Sequence, residues 1–122
     1  MKNILIIEDD DQIRALLRQI LEREGYEVND VPDGKKGIEL YRQQPADLVI
    51  TDLVMPEKEG IETIIELKSD YPQVKIIAIS GGGKVIPEIY LEMAEKLGAS
   101  YTIKKPFERR EILKAVHNLL EY

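Results

Sequence analysis

The sequence predicts an α/β fold of three layers, αβα, with one five-stranded parallel sheet wound on both faces in the order 2-1-3-4-5. Three observations over the 122 residues lead there. Short apolar runs alternate with helical patterns along the whole chain. Glycines and prolines stand where one pattern gives way to the next. Two of the apolar runs end in carboxylates. Strands that alternate with helices form βαβ units, which place helices on both faces of a parallel sheet. Right-handed crossovers leave few arrangements of such units.

The elements follow in order. Strand candidates are Asn3–Ile7, Glu27–Val31, Ala46–Thr51, Lys75–Ile79 and Tyr101–Ile103. Between the first two, Ile13, Leu16, Leu17, Ile20 and Leu21 recur at helical spacing on one face. Gly25 stops that helix. The second helix follows Asp33-Gly34 and ends before Pro45, and the third starts near Gly60 and ends before Pro72. Pro87 suits the first turn of a fourth helix, which Gly98 stops. The last helix carries Ile112, Leu113, Val116, Leu119 and Leu120. Residues 1–122 form a single domain without repeat, low-complexity segment or linker.

Composition narrows the function classes. The net charge is −6, the reverse of the basic footprint of a nucleic-acid binder, and it disfavours anionic lipid. No apolar run approaches the roughly 20 residues that span a bilayer. The N-terminus carries no signal-peptide pattern, and there is no cysteine, which suits a reducing cytoplasm. A cytoplasmic location, with no direct contact to nucleic acid or membrane, is the expectation.

In the order 2-1-3-4-5, strands one and three are neighbours, and their C-terminal ends bring Glu8-Asp9 beside Asp52. Open α/β sheets bind ligands at this switch point. Like charges about 5 Å apart repel by roughly 3 kcal/mol at an effective dielectric near 20. Such a cluster is kept where a hard cation binds it, Mg²⁺ or Ca²⁺. Glu8 and Asp9 read as ligands, with Asp10 or Asp11 left to cap the first helix. The Val54 main-chain carbonyl is the third expected ligand. Asp52 reads as a nucleophile that takes a phosphoryl group as a mixed anhydride. Pro56 fixes the loop after it, and Gly60 is read as a position needing glycine's backbone freedom.

Ser80 opens a Ser-Gly-Gly-Gly stretch that lacks the Gly-Lys-Ser/Thr of a P-loop. It reads as a hydroxyl donor to a phosphoryl oxygen on Asp52. Lys105, before Pro106-Phe107, supplies a positive point charge for that group. Its X-Pro bond is a candidate for a cis peptide. Lys104, of opposite parity, points away. The single histidine, His117, lies in the last helix and reads as a partly exposed surface residue.

Together these residues resemble the receiver domain of two-component response regulators along the whole chain. The signals are Ile-Ile-Glu8-Asp9, Asp52 with Pro56 and Gly60, Ser80 after strand four, Gly98-Ala99, and Lys105-Pro106-Phe107. The order 2-1-3-4-5 is the one described for a chemotaxis member of that family. The resemblance implies a flavodoxin-like fold and a phosphoacceptor switch that catalyses only its own phosphorylation and dephosphorylation. It implies that Asp52 accepts phosphate from a sensor histidine kinase or phosphotransfer protein. Glu8, Asp9, Asp52 and the Val54 carbonyl would hold Mg²⁺, and Ser80 and Lys105 would bind the phosphoryl group. Ser80 and Thr102 would form the switch. The surface of the fourth helix, fifth strand and fifth helix would engage an unidentified downstream protein. The state implied is a monomer or a phosphorylation-dependent dimer.

Three departures from the family pattern bear on the switch. Thr102 stands where the family places an aromatic, with Tyr101 on the opposite face and Tyr90 of the fourth helix as a weak substitute. Gly81-Gly82-Gly83 replaces a less glycine-rich loop. Val54 and Gly82 occupy the positions that modulate hydrolysis, so dephosphorylation is expected to be slow or independent of those side chains. Other readings are the receiver part of a longer regulator, a small aspartate-nucleophile phosphatase and a flavodoxin-like electron carrier. Val54 lacks the acid that a phosphatase would use two residues after its nucleophile, and Glu8-Asp9 would repel a flavin phosphate.

Overall fold

The computed structural model describes residues 2–53, 60–80 and 87–121, with the main chain alone at 87, 88 and 90. Along the chain run β1 (Asn3–Ile7), α1 (Asp11–Arg23), β2 (Glu27–Val31), α2 (Gly34–Gln43), β3 (Leu48–Asp52), α3 (Gly60–Asp70), β4 (Ile76–Ser80), α4 (Pro87–Lys96), β5 (Tyr101–Lys104) and α5 (Arg109–Leu120). The five strands are parallel and ordered β2-β1-β3-β4-β5. The expected fold class and strand order are those observed.

Alternation along each strand divides the core into two layers. Ile4, Ile6, Leu48, Ile50, Ile77, Ile79 and Ile103 pack with Leu17, Leu21, Ile112 and Val116 of α1 and α5. Leu5, Ile7, Val49, Ile76 and Ala78 pack on the other face with Ile38, Ile64, Leu67 and Ala94 of α2, α3 and α4. Both faces of the central strands are dry, which explains why they read as unbroken apolar runs rather than alternating ones.

Three strands end one residue later than their apolar runs, β5 among them at Lys104. β3 reaches Asp52, which pairs with Ile79, and β4 reaches Ser80, which pairs with Lys104. At the other end, the ladder of β3 begins at Leu48 rather than Ala46. Asp47 there uses its side chain to accept from Asn3 N at 2.8 Å. Asp10 caps α1, its Oδ1 accepting from the backbone of Gln12 and Ile13. Gly25 and Gly98 end α1 and α4 at φ +91° and +108°, the left-handed region that side chains avoid. Among the described residues, no helix is long and apolar enough to cross a membrane.

Candidate functional site

The C-terminal ends of β1, β3 and β5 converge on one acidic site. Ile7 of β1 pairs with Thr51 of β3, so the residues that follow, Glu8 and Asp52, emerge side by side. Glu8 and Asp52 are buried, while Asp9 is exposed. Each of the three offers a carboxylate oxygen, and those atoms lie within 4.8 Å of one another. Lys105 reaches into the same site from the residue after β5. Its Nζ lies 3.1 Å from Glu8 Oε1 and 3.5 Å from Asp52 Oδ2.

Main-chain bonds fix these approaches. Leu53 N donates to Ile79 O at 2.9 Å and Lys105 N donates to Ser80 O at 2.7 Å, which ties the strand ends together. Leu53 N is also 2.9 Å from Asp52 Oδ1, so one carboxylate oxygen is held by the chain and the other faces Lys105. Glu8 Oε2 accepts from Asp10 N at 3.2 Å. Glu8 Oε1 is fully buried, and among the described residues it is met by the Lys105 ion pair but satisfies no geometric hydrogen bond. The Lys105–Pro106 bond is cis. Lys104 is exposed, as its parity requires.

The electrostatics record the crowding. Burial first, and then the charge of Asp52, push the Glu8 carboxyl up to about 7 against the pull of Lys105. Burial also raises Asp52, and Asp9 adds to this while Lys105 opposes it. Burial disfavours the Lys105 ammonium, but Asp52 and Glu8 outweigh it and its pKa stands above the ordinary lysine value. The site is thus short of positive charge.

A divalent cation fits this donor set. The ligands are hard oxygens, and the buried Glu8 oxygen lacks the hydrogen bond that such atoms normally have.

Ser80 is buried at the end of β4. Strand alternation sets it with Ile76 and Ala78 on the α3–α4 face, and Thr102 pairs with Ala78 in register. Tyr101 packs on the opposite layer, and its hydroxyl accepts from Asn118 Nδ2 at 2.9 Å. The expected separation of Thr102 from Tyr101 is therefore observed. Val54, Pro56 and Gly81-Gly82-Gly83 lie outside the described residues, as does the side chain of Tyr90. His117 is about half-exposed near Glu121 and takes no part in the site.

Gly60 has a different reason from the one expected. It is not at positive φ. A Cβ there would lie 2.1 Å from the Asp52 carbonyl oxygen and 2.5 Å from Leu53 Cα. The start of α3 packs directly on the end of β3, and Gly60 N donates to Leu53 O at 3.0 Å. One residue was not singled out from the sequence. Arg14 of α1 donates from Nη1 to the Glu8 carbonyl at 2.9 Å. A side-chain bond to main chain leaves no complementary residue to search for.

Comparison with known proteins agrees with this geometry. The family model for the response regulator receiver domain matches residues 4–117, and the chain belongs to that family. Chemotaxis protein CheY from Halobacterium salinarum is 34% identical over 119 residues, covering 98% of this chain and 97% of the relative. Transcriptional regulatory protein CpxR from Klebsiella pneumoniae is 31% identical over 120 residues, and there the match covers 98% of this chain but 50% of the relative. Among solved structures, a response regulator receiver domain protein from Clostridium thermocellum superposes with a TM-score of 0.90 at 27% identity, covering 98% of this chain and 94% of that one. The response regulator TrrA from Thermotoga maritima, in complex with Mg²⁺-BeF, gives 0.87 at 29% identity, covering 98% of this chain and 100% of that one. The protein is a response regulator receiver domain of a two-component system.

Proposed function

We propose that Asp52 is the phosphoacceptor, receiving a phosphoryl group from a phosphohistidine of a sensor kinase or phosphotransfer protein. The observation that carries this is the placement of Lys105 Nζ 3.5 Å from Asp52 Oδ2, beside three carboxylates whose oxygens lie within 4.8 Å of one another. A carboxylate oxygen of Asp52 forms the new P–O bond as the P–N bond breaks. The electron pair leaves with the imidazole, which takes up a proton. Lys105 keeps its proton through this step, because the surrounding carboxylates raise its pKa. Its charge faces the transferred oxygens, where compact positive charge lowers the barrier to phosphoryl transfer. Glu8, Asp9 and Asp52 would hold Mg²⁺, together with the Val54 carbonyl. When bound, the ion supplies charge neutralisation and orients the phosphoryl oxygens.

Ser80 donates its hydroxyl to the phosphoryl group, and Thr102, paired with Ala78, lies on the same α3–α4 face. A phosphoryl group brings about −1.5 to −2 charges and three strong acceptors, enough to bias a two-state surface. That surface is α4, β5 and α5, where the downstream protein binds. Ile89 and Met93 of α4 are exposed apolar residues there. The chain acts as a switch, and the only reactions it catalyses are its own phosphorylation and dephosphorylation. A second reading, the receiver of a longer regulator, is favoured by the CpxR match, in which this chain spans half of the relative. The genomic reading frame distinguishes the two.

The test is intact mass after incubation with acetyl phosphate, with Mg²⁺ or with EDTA, beside Asp52→Ala. One phosphoryl group on the wild type, absent with EDTA and absent in Asp52→Ala, is the expected result. Full modification of Asp52→Ala would place the acceptor elsewhere and overturn the assignment.

A further inference from the structure

We propose that Arg14 is a positioning residue for the acidic pair, holding the Glu8–Asp9 peptide at the angle that presents both carboxylates to a divalent cation. This rests on the metal reading of Glu8, Asp9 and Asp52. The Glu8 residue is gripped at both main-chain atoms. Its N–H donates to Val31 O of β2 at 3.1 Å. Its carbonyl accepts from Arg14 Nη1 at 2.9 Å. That carbonyl belongs to the rigid Glu8–Asp9 peptide plane, so tilting it swings Asp9 relative to Glu8.

The guanidinium is itself aimed. Nη2 meets Asp11 Oδ1 at 2.6 Å, and Nε faces Asp30 Oδ2 at 3.6 Å. Two hydrogen-bond acceptors, from α1 and the β1 end, and one ion-pair carboxylate of β2 converge on one planar fork, whose donors have fixed geometry. The Arg14 side chain is 20% exposed and its partner Asp11 85% exposed, so the bond to the Glu8 carbonyl is the sheltered one of the pair. Arg18 provides an internal contrast. It also bridges α1 to Asp30, at 2.9 Å, and pairs with Glu22 at 3.2 Å, but its bonds do not run to Glu8.

Electrostatics and positioning predict opposite signs. Arg14 is a cation bonded to the residue that would hold Mg²⁺. Removing its charge alone would tighten Mg²⁺ binding. Losing its grip on the peptide would weaken it, and partners that orient metal ligands cost about 10–100-fold in affinity when mutated.

The experiment titrates Mg²⁺ into wild type, Arg14→Ala, Arg14→Lys and Arg18→Ala, followed by NMR at the Asp9 and Asp52 amides, with thermal melts in EDTA. The expected result is about tenfold weaker binding in Arg14→Ala. Arg14→Lys falls between, because its ammonium can still reach the Glu8 carbonyl but lacks the planar fork that also holds Asp11. Arg18→Ala melts earlier yet binds Mg²⁺ like wild type. Unchanged or tighter binding in Arg14→Ala overturns the proposal. So does an equal loss in Arg18→Ala, which would mark general destabilisation. If Arg14→Ala does not fold, Arg14→Lys decides, and wild-type affinity in that variant overturns it. Failure of the wild type itself to bind Mg²⁺ is a separate result, which overturns the metal reading and this proposal with it.

Discussion

Gly60 and Asp52 constrain each other through backbone rather than side chains. With the Asp52 carbonyl oxygen 2.1 Å from the position of a Cβ, Gly60→Ala must push α3 away from β3 or shift the strand end. Neither neighbour is the free tip of a flexible side chain, so relief is expensive. Overpacking of this kind costs about 1–3 kcal/mol. The prediction is a urea midpoint lowered accordingly, with slower labelling by acetyl phosphate, because the displaced atoms carry the proposed acceptor. A variant that labels and unfolds like wild type would contradict the close approach. Gly37 makes a useful contrast. There a Cβ would meet the Ile7 side chain at 2.4 Å, which can rotate aside at lower cost than a backbone can.

At the scale of elements, α1 delivers more than core packing. Asp10 caps it by accepting from Gln12 N and Ile13 N at 2.9 and 3.1 Å, while its own N–H donates to Glu8 Oε2. The side chain serves the helix and the main chain serves the site. Asp10→Ala is therefore expected to cost about 1 kcal/mol of stability while leaving Mg²⁺ affinity within twofold. A large loss of affinity with little loss of stability would reverse that division of labour. The limits of α1 and β2 were legible because capping residues and glycines mark them. The last residues of β3 and β4 were less so. Asp52 and Ser80 are polar but buried and paired in the ladder, so an apolar pattern stops one residue short at each. Those two positions break the local rule because they carry the proposed chemistry, which is where such breaks are expected. The carboxylates and Lys105 were legible from strand ends and strand order alone. Arg14 was not, because its partner is a carbonyl that every residue possesses. The reason for Gly60 was misread, since close approach and positive φ look identical in a sequence.

Across the whole molecule, the acidic site links stability to pH and to metal. Glu8 has a folded-state pKa of about 7 against 4.5 for the free side chain. The folded state therefore holds this proton more tightly than the unfolded chain does. Linkage then requires that stability fall as pH rises through this window, with the penalty absent well below 4.5, growing between the two values and complete above 7. Asp52, also raised, acts in the same direction. Lys105 acts only at alkaline pH, beyond the window. A divalent cation needs the carboxylates ionised, so its affinity rises over the same range. Saturating Mg²⁺ at 100 times its Kd adds about 2.7 kcal/mol, roughly 10 °C in Tm for a domain of this size. Melting in EDTA is thus expected to drop between pH 5 and pH 8, and melting in saturating Mg²⁺ to stay nearly level, so that the gap widens with pH. Glu8→Gln removes the carboxylate that carries this shift. It should melt higher than wild type in EDTA at pH 8, flatten most of the decline and lose most of the response to Mg²⁺. His117 is unchanged in that variant and lies near Glu121 at the C-terminal end of α5, so it cannot account for a difference between the two proteins. A decline of equal depth in Glu8→Gln and wild type would remove Glu8 as its source.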